Sequence, residues 1–173
     1  MNENFILTVD NKFTNEDCEH LIKIYNVNTI KNDLLNYSFK DINVNSFLHL
    51  NKFKEILEIY KKTYAEIDMT SSFWGINALR FKFFKKGNSL SEWHSEHSFT
   101  YHNRVLAIQL YLTEHNCGTE FYYNKKTILS KVGRVCMFPA YFSHTHRGQP
   151  DFDKDRMIIT GYVEFIQKGT KEK

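Results

Sequence analysis

The residues best able to do chemistry lie at Trp93-His94-Ser95-Glu96, answered much later in the sequence by His144-Thr145-His146-Arg147-Gly148 and then by Arg156. Two imidazoles and one carboxylate form the ligand set that grips Fe(II) by one face and leaves the other face open for a cosubstrate and O₂, which points to an oxygenase. If residues 92 to 97 run extended, side chains two positions apart share a side, so His94 and Glu96 reach one ion while Ser95 faces away. One short strand cannot supply three ligands to one octahedral face without strain, so the third comes from elsewhere in the fold. His146 fits that role, and His144 has the same strand parity. A lone His-x-Glu is a weak signal; the distal histidines and the arginine strengthen it.

These groups have to be positioned by elements the pattern predicts. Phe5 to Val9 reads as a short strand, and Thr14-Asn15-Glu16-Asp17 is a capping signal opening a helix through Tyr25. Asn26 to Asn45 is polar with weak periodicity, whereas Phe47 to Ile67 carries Leu48, Phe53, Ile56, Leu57 and Tyr60 at helical intervals, a helix that packs on a sheet. From Trp74 the pattern turns extended: Leu79 to Phe83 alternates, Val105 to Leu112 is an apolar run holding Gln109, and Thr119 to Tyr123, Ile128 to Val132, Arg134 to Phe138 and Met157 to Phe165 follow as strands. Helices followed by many strands indicate α+β, with a jelly-roll or cupin-like barrel whose interior holds a small ligand.

With 173 residues, 42% of them hydrophobic and 16% aromatic, the protein can bury a full core as one domain spanning 1–173, its helical part about 1–70 and its barrel about 77–166. Cys18, Cys117 and Cys136 are odd in number and lack CxxC spacing, which argues against a disulfide framework or zinc knuckle and for a reducing compartment that keeps iron ferrous. The N-terminus lacks a basic start followed by an apolar run, and no segment approaches membrane-spanning length, so a soluble, cytoplasmic protein is expected. A net charge of +3 is too small to argue for nucleic acid, and Lys85-Lys86 and Lys125-Lys126 read as solvated turns.

The segment from about Asn77 to Phe165 resembles the catalytic domain of the Fe(II)/2-oxoglutarate-dependent dioxygenases, in their prolyl 4-hydroxylase-like branch. The motifs that carry the likeness are Trp93-His94-Ser95-Glu96, Tyr111-Leu112-Thr113, Gly118-Thr119-Glu120-Phe121, Gly133-Arg134-Val135 through Phe138-Pro139, His146-Arg147-Gly148-Gln149-Pro150, and Arg156 through Thr160-Gly161. Upstream, Val9 to Phe13 with Glu16-Asp17-Cys18 resembles the branch's entry helix. The resemblance implies a double-stranded β-helix with N-terminal helices packed outside it, and metal ligands His94, Glu96 and His146. It favours His146 over His144 because His146 begins the His-x-Gly-x-Pro pattern. It implies that Arg156 offers its planar fork to the distal carboxylate of 2-oxoglutarate, with Tyr111 and Thr160 adding hydroxyl bonds. It also implies an O₂-dependent hydroxylation of a C–H bond that releases succinate and CO₂, with ascorbate as a possible reductant and no protein nucleophile or general base.

Two departures from the family pattern stand out. Glu96 has one more methylene than the usual Asp, and Phe84 sits where relatives often place a tyrosine for the cosubstrate. Peptidyl and small-molecule substrates both remain open. Lys86 to Glu92, His97 to Asn103 and Asn28 to Asn45 would frame the mouth, with Phe99, Tyr101 and Arg104 as contacts. Trp93 reads as packing, His97 lies off the face of His94 and Glu96, and His102 and His115 read as solvated loop imidazoles. The competing readings are a non-catalytic cupin-like ligand-binding barrel, and a metal-dependent isomerase or hydrolase in which His144 would be the acid or base.

Overall fold

The computed structural model describes residues 4–25, 32–34, 36–70 and 74–165. In sequence order these form β1 (Leu7–Val9), α1 (Asn15–Ile24), β2 (Asn32–Asp33), β3 (Ser38–Ile42), α2 (Leu50–Thr63), β4 (Trp74–Phe84), β5 (Arg104–Tyr111), β6 (Gly118–Phe121), β7 (Lys126–Leu129), β8 (Val135–Pro139), β9 (His146–Gly148) and β10 (Arg156–Phe165). Short 3-10 turns cover Val44–Ser46, Ala65–Thr70 and Phe142–His144.

The strands build two antiparallel sheets, a seven-stranded one ordered β1-β8-β5-β10-β4-β3-β2 and a three-stranded one ordered β7-β6-β9. Alternation along each long strand gives the larger sheet two different faces. On one, Leu79, Phe81 and Phe83 of β4, Leu106, Ile108 and Leu110 of β5, Val135 and Met137 of β8, and Ile159 and Val163 of β10 pack against both helices. On the other, Phe84, Ala107, Tyr111, Cys136, Phe138, Ile158 and Tyr162 meet Phe121 and Ile128 of the smaller sheet. The result is an α+β jelly roll with helices outside and a cavity between the sheets.

The helices are set by local chemistry. Thr14 caps α1 reciprocally: its hydroxyl accepts from Asp17 N at 3.1 Å, and its own amide donates to the Asp17 carboxylate at 2.8 Å. Lys52 of α2 pairs with the same carboxylate and ties the helices together. Helix α2 lacks a capping hydrogen bond from the His49 side chain, a deficit of about 1 kcal/mol. Burial of Phe53, Ile56, Leu57 and Tyr60 on one stripe outweighs it, since each such side group contributes about 1.5–3 kcal/mol.

Several expectations need correction. The α2 helix is shorter than 47–67, because the backbone leaves helical geometry at Tyr64 and continues as a 3-10 turn. Strands β2 and β3 fall in the segment read as unpatterned; residues 26–31 and 35 of that segment lie outside the described residues. Residues 92 to 97 do not form a strand. Only His94 pairs, in an isolated antiparallel bridge to His146, while Glu96 turns its amide to Ala140 O at 3.0 Å.

Candidate functional site

The bridge places two imidazoles side by side. His94 N donates to His146 O at 3.0 Å and His146 N to His94 O at 2.9 Å, and the ring centroids are 4.5 Å apart. In both rings Nδ1 faces a carbonyl, Glu92 O at 2.8 Å for His94 and His144 O at 3.0 Å for His146. Such a bond places the proton on Nδ1 and leaves the Nε2 lone pair free to ligate. Burial, reinforced by the neighbouring His146, pushes the His94 imidazole below its ordinary value and keeps it neutral. His146 Nε2 is buried and has no hydrogen-bond partner among the described residues.

Glu96 completes the set. Its Oε1 lies 3.8 Å from His94 Nε2 and 3.6 Å from His146 Nε2, and ligand atoms of the three residues fall within 4.8 Å of one another. The other oxygen, Oε2, accepts from the Tyr162 hydroxyl at 2.9 Å and faces Arg104 Nη1 at 3.4 Å. Arg104 is itself sandwiched between the rings of Tyr101 and Tyr162, at 3.7 and 3.5 Å. The extra methylene of Glu is thus taken up by a carboxylate held from behind, with its free edge turned to the imidazoles. Burial alone would raise this carboxyl; His146 and the Lys82 ammonium outweigh burial and hold it well below the ordinary carboxylate range. A carboxylate and two imidazoles around one point make a donor set that fits a divalent metal with open positions.

From this triad the cavity runs between the sheets to Arg156, past Thr160, Ile158, Tyr111, Phe84 and Lys82. Arg156 is only 3% exposed, so it is an interior arginine. Its guanidinium lies 4.7 Å from the Phe84 ring centroid, making a cation-π contact where a tyrosine would offer a hydroxyl. Its guanidinium makes a long hydrogen bond, Nη1 to Gly118 O at 3.4 Å, and also reaches the Cys117 thiol, while its Nε is unpartnered among the described residues. Thr160 Oγ1 is likewise buried and unpartnered. Register sets these positions: Arg156 lies opposite Phe84 of β4, Ile158 between Lys82 and Tyr111, and Thr160 between Arg80 and Gln109. At Gly118 a larger residue has no room, since a Cβ there would lie 1.9 Å from Ile128 O. Tyr111, fully buried, donates to Thr119 Oγ1 at 2.7 Å, and Thr119 donates in turn to Gln109 Oε1 at 2.6 Å.

The other candidates fall elsewhere. His144 points away from the triad: its Nε2–H donates to Asn4 O at 2.8 Å and its Nδ1 accepts from Ser143 at 3.0 Å, which leaves neither nitrogen for acid–base work. His115 is 4% exposed rather than solvated, because Asp151 at 2.6 Å and Thr113 at 2.7 Å take both its nitrogens. It clusters with Cys117 and Asp151. Trp93 packs edge-on against Tyr122 under the Arg147 guanidinium. Tyr101 and Arg104 line the mouth with Asn36, Tyr37, Ser91 and Glu92, whereas Phe99 is almost fully exposed. Sequence reasoning missed Lys82 and Tyr162. Each alternates with residues on the helix-packed face, and that parity was the available signal.

No family model matches the sequence, and no curated protein does. Among solved structures, a viral collagen prolyl hydroxylase from Paramecium bursaria Chlorella virus-1, in complex with 2-oxoglutarate, superposes with a TM-score of 0.76 at 14% identity, over 95% of this chain and 97% of that one. The protein has the prolyl hydroxylase fold. A prolyl hydroxylase of Trichoplax adhaerens, in complex with a peptide of a hypoxia-inducible factor, gives 0.66 at 14% identity over 95% of this chain and 85% of that one. HygX of Streptomyces hygroscopicus, with nickel and 2-oxoglutarate bound, gives 0.64 at 9% identity over 93% and 83%. In this prolyl hydroxylase fold no described helix is long and apolar enough to cross a membrane.

Proposed function

We propose that the protein is an Fe(II)- and 2-oxoglutarate-dependent dioxygenase that hydroxylates a C–H bond of a peptidyl or small-molecule substrate. One observation carries the reading: buried atoms without hydrogen-bond partners among the described residues, His146 Nε2, Arg156 Nε and Thr160 Oγ1, share one cavity with His94 and Glu96. A folded protein keeps unsatisfied buried polar atoms at a cost, and a metal with a dicarboxylate would satisfy these together.

In this reading His94, Glu96 and His146 hold the metal, and Arg156, Tyr111 and Thr160 hold the far carboxylate of the cosubstrate. Bound Fe(II) and 2-oxoglutarate would supply O₂ activation coupled to decarboxylation, yielding succinate, CO₂ and a hydroxylated product. The protein supplies position and dryness. Tyr162 and Arg104 orient Glu96, the carbonyls of Glu92 and His144 fix the imidazole tautomers, and Leu90 and Phe84 wall the cosubstrate from water. The structural neighbours crystallised with 2-oxoglutarate, with nickel and with a peptide support the cosubstrate, a metal and a peptidyl substrate in turn.

The test is succinate formation from 2-oxoglutarate by Fe(II)-loaded protein, with and without ascorbate, against His94→Ala and Arg156→Ala. Turnover lost in both variants is the expected result. A wild-type protein that neither turns over nor binds 2-oxoglutarate in a metal-dependent way would overturn the reading in favour of a binding barrel.

A further inference from the structure

We propose that the substrate of this site carries a carboxylate and that Lys82 is the cation that receives it, an inference resting on the cosubstrate assignment above. Lys82 is 6% exposed, yet among the described residues its ammonium makes no hydrogen bond or ion pair; it lies 5.3 Å from the Tyr37 ring and acts on Glu96 only through space. An ammonium held at the wall of a largely buried cavity without a hydrogen-bond partner is an unfavourable group for a fold to retain, and sites that bind an anion are where it is found.

The neighbouring charges are already matched. Arg80 pairs with Asp41 at 2.6 Å, and Arg104 lies 3.6 Å from Glu164 and 3.4 Å from Glu96. Glu96 is turned to the two imidazoles and Tyr162. A divalent metal on Glu96, a doubly charged cosubstrate and Arg156 cancel one another. Among the described residues that line the inner cavity, Lys82 is then the positive charge left over, while Glu92 lines the mouth. A single charge calls for a singly charged carboxylate rather than a phosphate.

Position selects the substrate over the cosubstrate as its source. Lys82 lines both the inner cavity and the mouth, but Tyr37, which its ammonium faces, lines the mouth alone. Arg156 lies one same-face position deeper, opposite Phe84, whereas Lys82 lies opposite Ile158. The ammonium therefore stands on the entry side of the triad, where a substrate arrives, and an acidic residue, the terminal carboxylate of a peptide or a small organic acid meets its requirement.

The experiment uses the full-length protein loaded with Zn(II) and 2-oxoglutarate and titrated with trifluoroacetate, followed by the fluorine line width, with trifluoroethanol as the uncharged control. Wild type and Lys82→Arg should bind the carboxylate and not the alcohol. Lys82→Met should weaken carboxylate binding about tenfold or more, keep its 2-oxoglutarate affinity, and melt at a higher temperature than wild type without ligands. Equal carboxylate binding in wild type and Lys82→Met, or a lower melting temperature that marks the ammonium as structural, overturns the proposal. Loss of 2-oxoglutarate affinity in Lys82→Met also overturns it, by assigning Lys82 to the cosubstrate. If wild type takes no 2-oxoglutarate, the cosubstrate assignment fails, and the same titration without it still decides the role of Lys82.

Discussion

Tyr162→Phe isolates the device that lets a glutamate stand where a shorter carboxylate is usual. Phenylalanine keeps the ring that carries the Arg104 guanidinium at 3.5 Å and removes only the hydroxyl that donates to Glu96 Oε2 at 2.9 Å. That oxygen is then left with Arg104 at 3.4 Å, a long contact. Stranding a buried carboxylate oxygen costs the folded protein about 1–3 kcal/mol. The effect on metal affinity is smaller, because the hydrogen bond exists before metal arrives and its own energy cancels. Two terms remain, of opposite sign. The oxygen regains electron density, which favours the metal, and the glutamate regains rotamer freedom, whose loss on binding costs about 0.5–1.5 kcal/mol. Partners that orient metal ligands are typically worth about 10–100-fold in affinity, so positioning should win at the lower end, about tenfold. The assays are competition for Mn(II) with a fluorescent chelator and urea denaturation of the metal-free protein. Unchanged or tighter metal binding, with stability intact, would refute the reasoning.

His146→Ala should abolish metal binding, whereas His144→Ala should leave it in place and lower stability by about 1–3 kcal/mol by stranding Asn4 O and Ser143; metal titration and denaturation of both variants separate the roles. Arg156→Met should reduce metal-dependent 2-oxoglutarate affinity about 100-fold or more, the worth of a bidentate charge-assisted pair, with Mn(II) affinity unchanged by calorimetry. Burial alone would raise the Asp17 carboxyl, but Lys52 and the Thr14 cap hold it down to about 2. A depressed folded value means its stabilisation is complete above the unfolded value of about 3.9 and is lost as pH falls toward the folded one. The gap in urea midpoint between wild type and Asp17→Asn should therefore be constant near neutrality and shrink below about pH 4.

The grouping of His94, Glu96 and His146 and the interior place of Arg156 were readable because ligand chemistry restricts residue type so strongly that a few identities and their order suffice. Helix α2 was readable from its stripe, and β5 from an unbroken apolar run. Other parts depended on partners the local pattern does not name. Strand β3 sits toward one edge of the sheet, mostly half-buried, so Ser38 to Ile42 lacks a clean alternation. Strand β9 is three residues long and exists through its pairing with β6. His94 and Glu96 are neighbours at the site as expected, but not through strand alternation, since one residue is in a bridge and the other in a bend. His115 looked like a loop histidine until the fold brought Asp151 to it. Lys82 alternates with phenylalanines in a strand that reads as half solvated, and the second sheet makes its face interior.

The relay of hydroxyls from Tyr111 through Thr119 to Gln109 has a direction. Gln109 Oε1 only accepts, and the hydroxyls of both Thr119, at 2.6 Å, and Tyr111, at 3.1 Å, reach it while lying 2.7 Å from each other, so the proton chain ends on Gln109. Tyr111 has a single proton, already engaged with Thr119 or Gln109, so under the proposed function a carboxylate beside the Arg156 guanidinium would receive it only by turning the phenol off them. That exchange trades a neutral bond for a charge-assisted one of about twice the strength, while Thr119 keeps its bond to Gln109. Thr119 and Gln109 thus form a rest position for the phenol proton, keeping the hydroxyl satisfied while no carboxylate is present and yielding it when one enters.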